Sequence, residues 1–415
     1  MKHKVLIGSL AVVVAALLWS LDGTFLRPAL FSIPSPLVVF LEHFLGFIAL
    51  LPFLIYYRKQ LKNITHKEWV AIFWVALFGG ALGTTFMTKA LFLTGFKDIS
   101  VVILLQKLQP IFAILLAIIF LRERFPRRFY LYALIAIVGG YFVTFKDPLT
   151  FANLASVNKT TLLIPLFALL AAFSWGSSTT FGKYSIKNIN YGLLAALRFG
   201  LTVLIMAGPA LYFYSASIKS VTDPQWNTLL IIVVTSGAAA MWLYYYGLKK
   251  IPASLATLCE LSWPVSAVIF DYYFNHNVLS LSQIIGTTLL LLAAYQAAAL
   301  NKPHVITGVV IGGDGEGAKM GVPTANLYVG RAKHLPRGLY TCAVKTDHGY
   351  YRGLLYYGYN SLNKKDCLEV HLLNFNGNLY NHHLTVTTER YLRLPKKFRS
   401  VESLMKQMKQ DLKLI

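Results

Sequence analysis

The stretch from Gly313 to Asn326, GDGEGAKMGVPTAN, gathers the residues of this 415-residue chain best suited to phosphate chemistry. Gly313, Gly315, Gly317 and Gly321 let the backbone approach a ligand without a side chain in the way. Pro323 stiffens the chain, and Thr324 and Asn326 present two oxygen donors two residues apart. Hard oxygen donors beside a glycine-rich loop suit a magnesium–nucleotide complex. The glycine spacing alone occurs in many ordinary turns, whereas GVPTAN is far more specific.

A second set of chemistry-bearing residues lies inside apolar runs. Glu42, His43, Lys89, Lys107, Arg198, Glu260 and Asp271 are ionisable residues within or at the ends of such runs. Charges are costly inside a bilayer and usually mark a pathway. Lys89 and Asp271, near helix ends, read as snorkelling groups. His43, Gln106, Lys107, Arg198 and Glu260 read as cavity residues, because they recur symmetrically. Ser100 to Gln106 runs on to Pro110 as Ser254 to Glu260 runs on to Pro264, with the same spacing, and His43-Phe44 matches Arg198-Phe199. Trp242 and Trp263, with Trp19, Trp175 and Tyr244 to Tyr246, offer faces on which a planar ring stacks, although aromatics also collect at membrane interfaces.

These residues must be positioned by membrane helices. The chain is 56% hydrophobic and 13% charged, and its mean hydropathy of +0.55 lies outside the range of ordinary soluble proteins. Ten apolar segments, near 5–22, 36–57, 69–91, 101–121, 129–145, 161–181, 191–214, 228–246, 253–274 and 283–300, are mostly long enough to cross a hydrocarbon core of ~30 Å. A net charge of +22 is explained by loop lysines and arginines: fifteen lie on one side of these segments and five on the other. The positive-inside rule then places both termini in the cytoplasm. Cys259, Cys342 and Cys367 have no metal-ligand spacing and read as reduced thiols. The expected organisation is a first five-helix repeat over 1–145, an extracytoplasmic connection over 146–160, a second repeat over 161–300, and a cytoplasmic domain over 304–415. An odd number of spans per repeat inverts the second copy, as in many secondary transporters.

Past Pro303 the pattern changes to period-two alternation. HVITGVVIG, GLYTCAVKT, YYRGLLYYGY, CLEVHLLNF and HHLTVTTERYL predict strands. Ser400 is a good N-cap for a final helix.

Ten helices in two inverted halves, with LRERF closing the fourth, resemble the EamA-like branch of the drug/metabolite transporter superfamily. The partner sequence FNHNV at 274–278 lacks those charges. The tail, through TGVVIGG, GVPTANL, LPRGLY, YYRGLLYYGYN, LEVHLLNF and RYLRLPKKFRSVESL, resembles the riboflavin kinase domain of bacterial flavin-synthesising enzymes. That resemblance implies a small antiparallel β-barrel that transfers the γ-phosphate of ATP to the 5′-hydroxyl of riboflavin. It also implies that Thr324 and Asn326 hold Mg2+ and phosphate and that Glu369 is the catalytic base. Asp314 and Ala318 stand where the family often has arginines, Glu316 adds an acid, YNSL at 359–362 replaces an RPTF-like segment, and Pro395 replaces a glutamate. The expected protein is a polytopic α-helical permease of the bacterial inner membrane, for riboflavin, that phosphorylates its cargo to FMN. A permease for another small metabolite whose weakly catalytic tail senses flavin or nucleotide is the alternative. No nucleic-acid partner is expected.

Overall fold

The computed structural model describes residues 2–93, 102, 105–144, 159–275, 280–300, 303–313, 315–328, 335–360, 365–398, 400–412 and 414. Most of the connection expected at 146–160, Asp314, residues 361–362 of YNSL and 276–278 of FNHNV lie outside them. The chain forms two compact units. One holds His3–Glu123 and Tyr132–Ala298; the other holds Ala299–Ile415 with Met1–Lys2 and Arg124–Leu131.

Among the described residues, ten apolar segments are helical. Seven are long and apolar enough to cross a membrane by length and composition. The remaining three are Gln109–Phe120, Arg127–Thr144, and a ninth segment split into Ala253–Glu260 and Ser262–Asn275. The fourth segment is broken as well, by a turn at Lys107 and Leu108. Both breaks have one cause. Pro110 and Pro264 lack an N–H, and their rings crowd the carbonyl four residues earlier, on Gln106 and Glu260. The chain tightens there, with Leu108 N donating to Leu105 O at 3.1 Å and Leu261 N to Leu258 O at 3.2 Å.

The two halves match in further detail. The third segment starts at Thr65, whose N–H donates to Glu68 Oε2 at 2.8 Å. The eighth starts at Thr222, whose N–H donates to Gln225 Oε1 at 3.0 Å. Each then carries a π-helical stretch, Val75–Leu82 and Val233–Gly237. The second segment, Ser35–Tyr56, packs along the seventh, Tyr191–Ile218. A Cβ on Gly46 would lie 2.4 Å from the Phe199 ring, and one on Gly200 would lie 2.8 Å from the Phe47 ring. Each phenylalanine thus fills the other helix's glycine notch, the close approach that small residues permit in membranes.

The tail is a closed six-stranded barrel in the order β1-β2-β5-β4-β3-β6. Its strands are β1 Val305–Ile311, β2 Ala325–Leu327, β3 Gly338–Thr346, β4 Gly349–Asn360, β5 Lys365–Leu372 and β6 His383–Arg393. Alternate residues fill the interior, among them Ile306, Val310, Leu327, Val344, Leu355, Leu368, Val370, Leu384 and Val386. Five strands match the alternation in sequence. β2 does not, because three residues are too few to show a period, and it lies inside PTANL itself. Helix Val401–Leu412 begins at Ser400, whose Oγ accepts from Ser403 N at 3.2 Å. Asp411 then accepts from Arg393 Nε at 3.1 Å and from Arg393 Nη2 at 2.7 Å, and Leu412 packs against Leu339, Leu354 and Leu392.

Candidate functional site

In the tail, the glycines of the loop serve two different needs. Gly315 and Gly321 have φ of +68° and +76°, the left-handed region that favours glycine. Gly313 and Gly317 are close-approach positions. A Cβ on Gly313 would lie 2.0 Å from Asn326 Nδ2, and one on Gly317 would lie 2.6 Å from Val322 O and 3.0 Å from Thr324 Oγ1. The turn Glu316–Lys319 is closed by Val322 N donating to Gly317 O at 2.9 Å. The result is a pocket of about 170 Å³ at the barrel end, lined by Gly315, Gly317, Thr324 and Asn326 on one side and by Phe375 and Tyr380 on the other.

Glu369 is outside that pocket's lining but directly beside it. Its neighbours Leu368 and Val370 point into the core, so Glu369 points outward. Asn326 of β2 is its register partner, and directly opposed residues share a face. Asn326 therefore joins the pocket to the carboxylate. Two further groups share this outer face of β5. Cys367 is hydrogen-bonded to Glu369, and burial together with that carboxylate pushes its thiol well above the usual range, leaving it a neutral S–H. His371 Nδ1 lies 2.8 Å from Pro323 O and pins the PTAN turn.

In the helical unit the two breaks come together. Gln109 Nε2 donates to Glu260 Oε2 at 2.6 Å, and Gln106 Nε2 donates to Gln109 Oε1 at 3.1 Å. Tyr244 OH donates to Glu260 Oε1 at 2.8 Å, and Thr179 Oγ1 lies 2.8 Å from the same phenol oxygen. Lys107 Nζ sits 3.9 Å from the centroid of the Trp263 ring. Trp19 packs on Tyr244, ring centroids 5.3 Å apart. Gln106, Lys107, Glu260 and Trp263 are thus brought into one group.

Arg198, His43 and Trp242 are held elsewhere. Arg198 Nη2 donates to Gly79 O at 2.7 Å, a carbonyl inside the π-helical stretch, and its Nη1 donates to Met241 Sδ at 2.8 Å and Tyr245 OH at 3.4 Å. Its Nε is buried without a partner among the described residues. His43 Nδ1 lies 2.8 Å from Val39 O in its own helix, and its ring packs on Phe199 at 4.8 Å. Trp242 stacks with Tyr246 and packs on Tyr191, away from the side of its helix that carries the Tyr244 hydroxyl. Glu42 forms an ion pair with Arg27 at 3.0 Å, and Arg27 also bonds Asp22 at 2.8 Å. Lys89 is exposed, as a snorkelling side chain is.

A family model for EamA-like transporters matches residues 6–145 and 162–298. The chain belongs to the EamA-like transporter family. It is 41% identical over 300 residues to the riboflavin transporter ImpX of Fusobacterium nucleatum, covering 71% of this chain and 98% of that one. A solved structure at 17% identity and a TM-score of 0.54, covering 70% of this chain and 96% of that chain, shares the fold. Residues 300–415 match the riboflavin kinase family. In that region the chain is 31% identical over 116 residues to the bifunctional riboflavin kinase/FMN adenylyltransferase of Listeria monocytogenes. It spans 37% of that enzyme's length.

This EamA-like transporter thus carries a domain whose family implies ATP, a divalent metal ion, and riboflavin or FMN. The residues fit such an ion. Thr324 and Asn326, both in the pocket lining, offer a hydroxyl and a carboxamide oxygen, each neutral. Those suit a hard ion that completes its shell with phosphate and water. Gln109, Thr179 and the hydroxyl of Tyr244 escape a reading based on charge alone. Gln109 had a signal, since it sits at the position equivalent to Trp263, one residue before Pro110.

Proposed function

We propose that this protein carries riboflavin across the bacterial inner membrane and phosphorylates it to FMN in its tail, with both termini and the barrel in the cytoplasm. The observation that carries the reading is the pairing of Asn326 with Glu369 on one face of the barrel, beside a glycine-shaped pocket, in a chain whose other unit is similar to a riboflavin transporter.

The barrel's own residues define the phosphoryl step. Gly315 and Gly317 leave room for the triphosphate, and Thr324 Oγ1 and the Asn326 carboxamide would hold Mg2+, which supplies charge neutralisation on the phosphates when bound. Glu369 accepts the proton of the riboflavin 5′-hydroxyl as its oxygen forms the bond to the γ-phosphorus and the bond to ADP breaks. His371 fixes the turn that carries Thr324. The neutral Cys367 thiol donates to Glu369 without adding a second negative charge.

In the bundle, Glu260, Gln106, Lys107 and Trp263 form the transport cavity. Arg198 and His43 act from the packed interface of the second and seventh segments, and Trp242, packed on Phe53, Tyr191 and Tyr246, stands apart from the Glu260 group. FMN carries about two more negative charges than its precursor at neutral pH, so it does not re-enter a cavity made for riboflavin. Phosphorylation traps the vitamin and keeps its inward gradient steep.

Radiolabelled riboflavin uptake in a riboflavin-requiring strain tests this. The full chain supports uptake and accumulates label as FMN; a chain lacking the tail takes up riboflavin to the external concentration only. Binding of flavin without FMN formation by the full chain would replace trapping with sensing. A cysteine introduced at exposed Ser400 that reacts with an impermeant reagent from outside would reverse the topology.

A further inference from the structure

Every residue from Ala253 to Ser266 is buried except Glu260 and Trp263. These two sit in the middle of an apolar segment, on either side of its break at Leu261. Glu260 is occupied by Gln109 and Tyr244. Trp263 is occupied by Lys107, whose ammonium lies over the indole at 3.9 Å from the centroid. Lys107 is only 5% exposed, and beside the indole the charged group that acts on its ammonium is the Glu260 carboxylate. Beside the same ring stands Gly23, where a Cβ would already lie 3.2 Å from Trp263 Cζ2. The indole is thus flanked by a residue without a side chain and covered by a mobile-chained cation.

A cation and a stacked electron-poor ring bind the same negative face of an indole. On the face that Lys107 covers, only one can be there at a time. We propose that Trp263 is the platform on which a flat, electron-poor heteroaromatic cargo stacks, and that Lys107 holds this face in the empty carrier and gives it up to the cargo. The proposal rests on the riboflavin reading for the identity of that ring and adds the residue that recognises it. It also accounts for the arrangement around the break. The amides of Gln106 and Gln109 and the carboxylate of Glu260 lie at the same level of the bundle, where they meet the carbonyl and imide edge of a ring laid on Trp263. A non-aromatic cargo gains nothing on the indole and does not displace the lysine.

The test uses the full chain in detergent or liposomes, with riboflavin and its side-chain-free ring lumichrome as probes. Stacking on an indole quenches flavin fluorescence, so riboflavin bound in the wild-type bundle is dark; flavin held by the barrel is the same in every variant and is subtracted as a constant. Trp263→Phe weakens riboflavin several-fold, and Trp263→Leu weakens it about tenfold or more, in the range of ring stacking in other sites. In Trp263→Leu the flavin that still binds is fluorescent. Lys107→Gln removes the competing cation and tightens lumichrome by roughly threefold. Wild-type affinity together with full quenching in Trp263→Leu overturns the platform, even where the wild type binds riboflavin normally. Unchanged lumichrome affinity in Lys107→Gln overturns the placeholder role. A wild-type chain that binds neither riboflavin nor lumichrome defeats the cargo reading and this proposal with it.

Discussion

Gly313→Ala separates the geometry of the phosphate loop from its stability. The added methyl carbon would lie 2.0 Å from Asn326 Nδ2 and 2.7 Å from Asn326 Cγ, where ordinary contact begins at 3.4 Å. The amide must therefore retreat by about 1.4 Å, the difference between 3.4 Å and 2.0 Å. Misplacing a catalytic group by ~1 Å costs about 10²-fold in rate, or roughly 2.7 kcal/mol. The fold loses much less. An off-rotamer side chain costs ~0.5–1.5 kcal/mol, and replacing glycine stiffens the unfolded chain by ~0.4–1 kcal/mol in the opposite direction. FMN formation by the purified full chain, followed chromatographically with riboflavin and Mg-ATP, should fall about 10²-fold. The melting temperature of the tail should move by no more than ~4 °C. Two neighbours serve as controls. Gly312 has no atom within 4 Å of its Cβ position, so Gly312→Ala should be silent. Gly315 is equally open but has a φ of +68°, so Gly315→Ala should lower stability by ~1–2 kcal/mol. Wild-type activity in Gly313→Ala, or an equal loss in Gly312→Ala, would refute the positioning of Asn326 by this glycine.

Glu369→Gln should cut FMN formation by roughly 10²–10⁴-fold, leave initial riboflavin uptake unchanged, and lower accumulation at long times. The same variant removes the negative charge that helps hold up the Cys367 thiol. Its pKa then falls, the thiolate fraction at a given alkaline pH rises, and alkylation of Cys367 should accelerate; an unchanged rate would deny the thiol–carboxylate contact. Glu260→Gln and Arg198→Ala should each reduce uptake at least about tenfold with normal membrane insertion, Arg198→Ala also leaving Gly79 O without its donor at a cost of ~1–3 kcal/mol. Normal uptake in both would make them structural. Asp411→Ala leaves Arg393 without its carboxylate partner and should destabilise the barrel by roughly 1–3 kcal/mol, read as a lower melting temperature and faster proteolysis of helix Val401–Leu412.

Much of the architecture is legible in one dimension, because it answers to one-dimensional constraints. A helix that faces lipid must stay apolar for its whole length, so the spans show as runs. A barrel strand must alternate, so five of the six strands show as period two. The breaks in the fourth and ninth segments follow from Pro110 and Pro264. The tail motif announces its loop because glycine and proline act on the backbone locally.

Which side chains meet was decided only by tertiary structure. β2 is three residues long and exists because β1 and β5 pair with it. That pairing alone sets Asn326 opposite Glu369, since register between distant strands is written in neither strand by itself. The same holds in the bundle. Symmetry in sequence links Gln106 to Glu260 and His43 to Arg198. Packing instead joins Gln109 to Glu260 and Lys107 to Trp263, and leaves Arg198 on a carbonyl that the π-helical stretch exposes. A sequence repeat states which positions are equivalent. Hydrogen bonds and ring contacts form between positions that are near, and in two interlocked halves those are different residues.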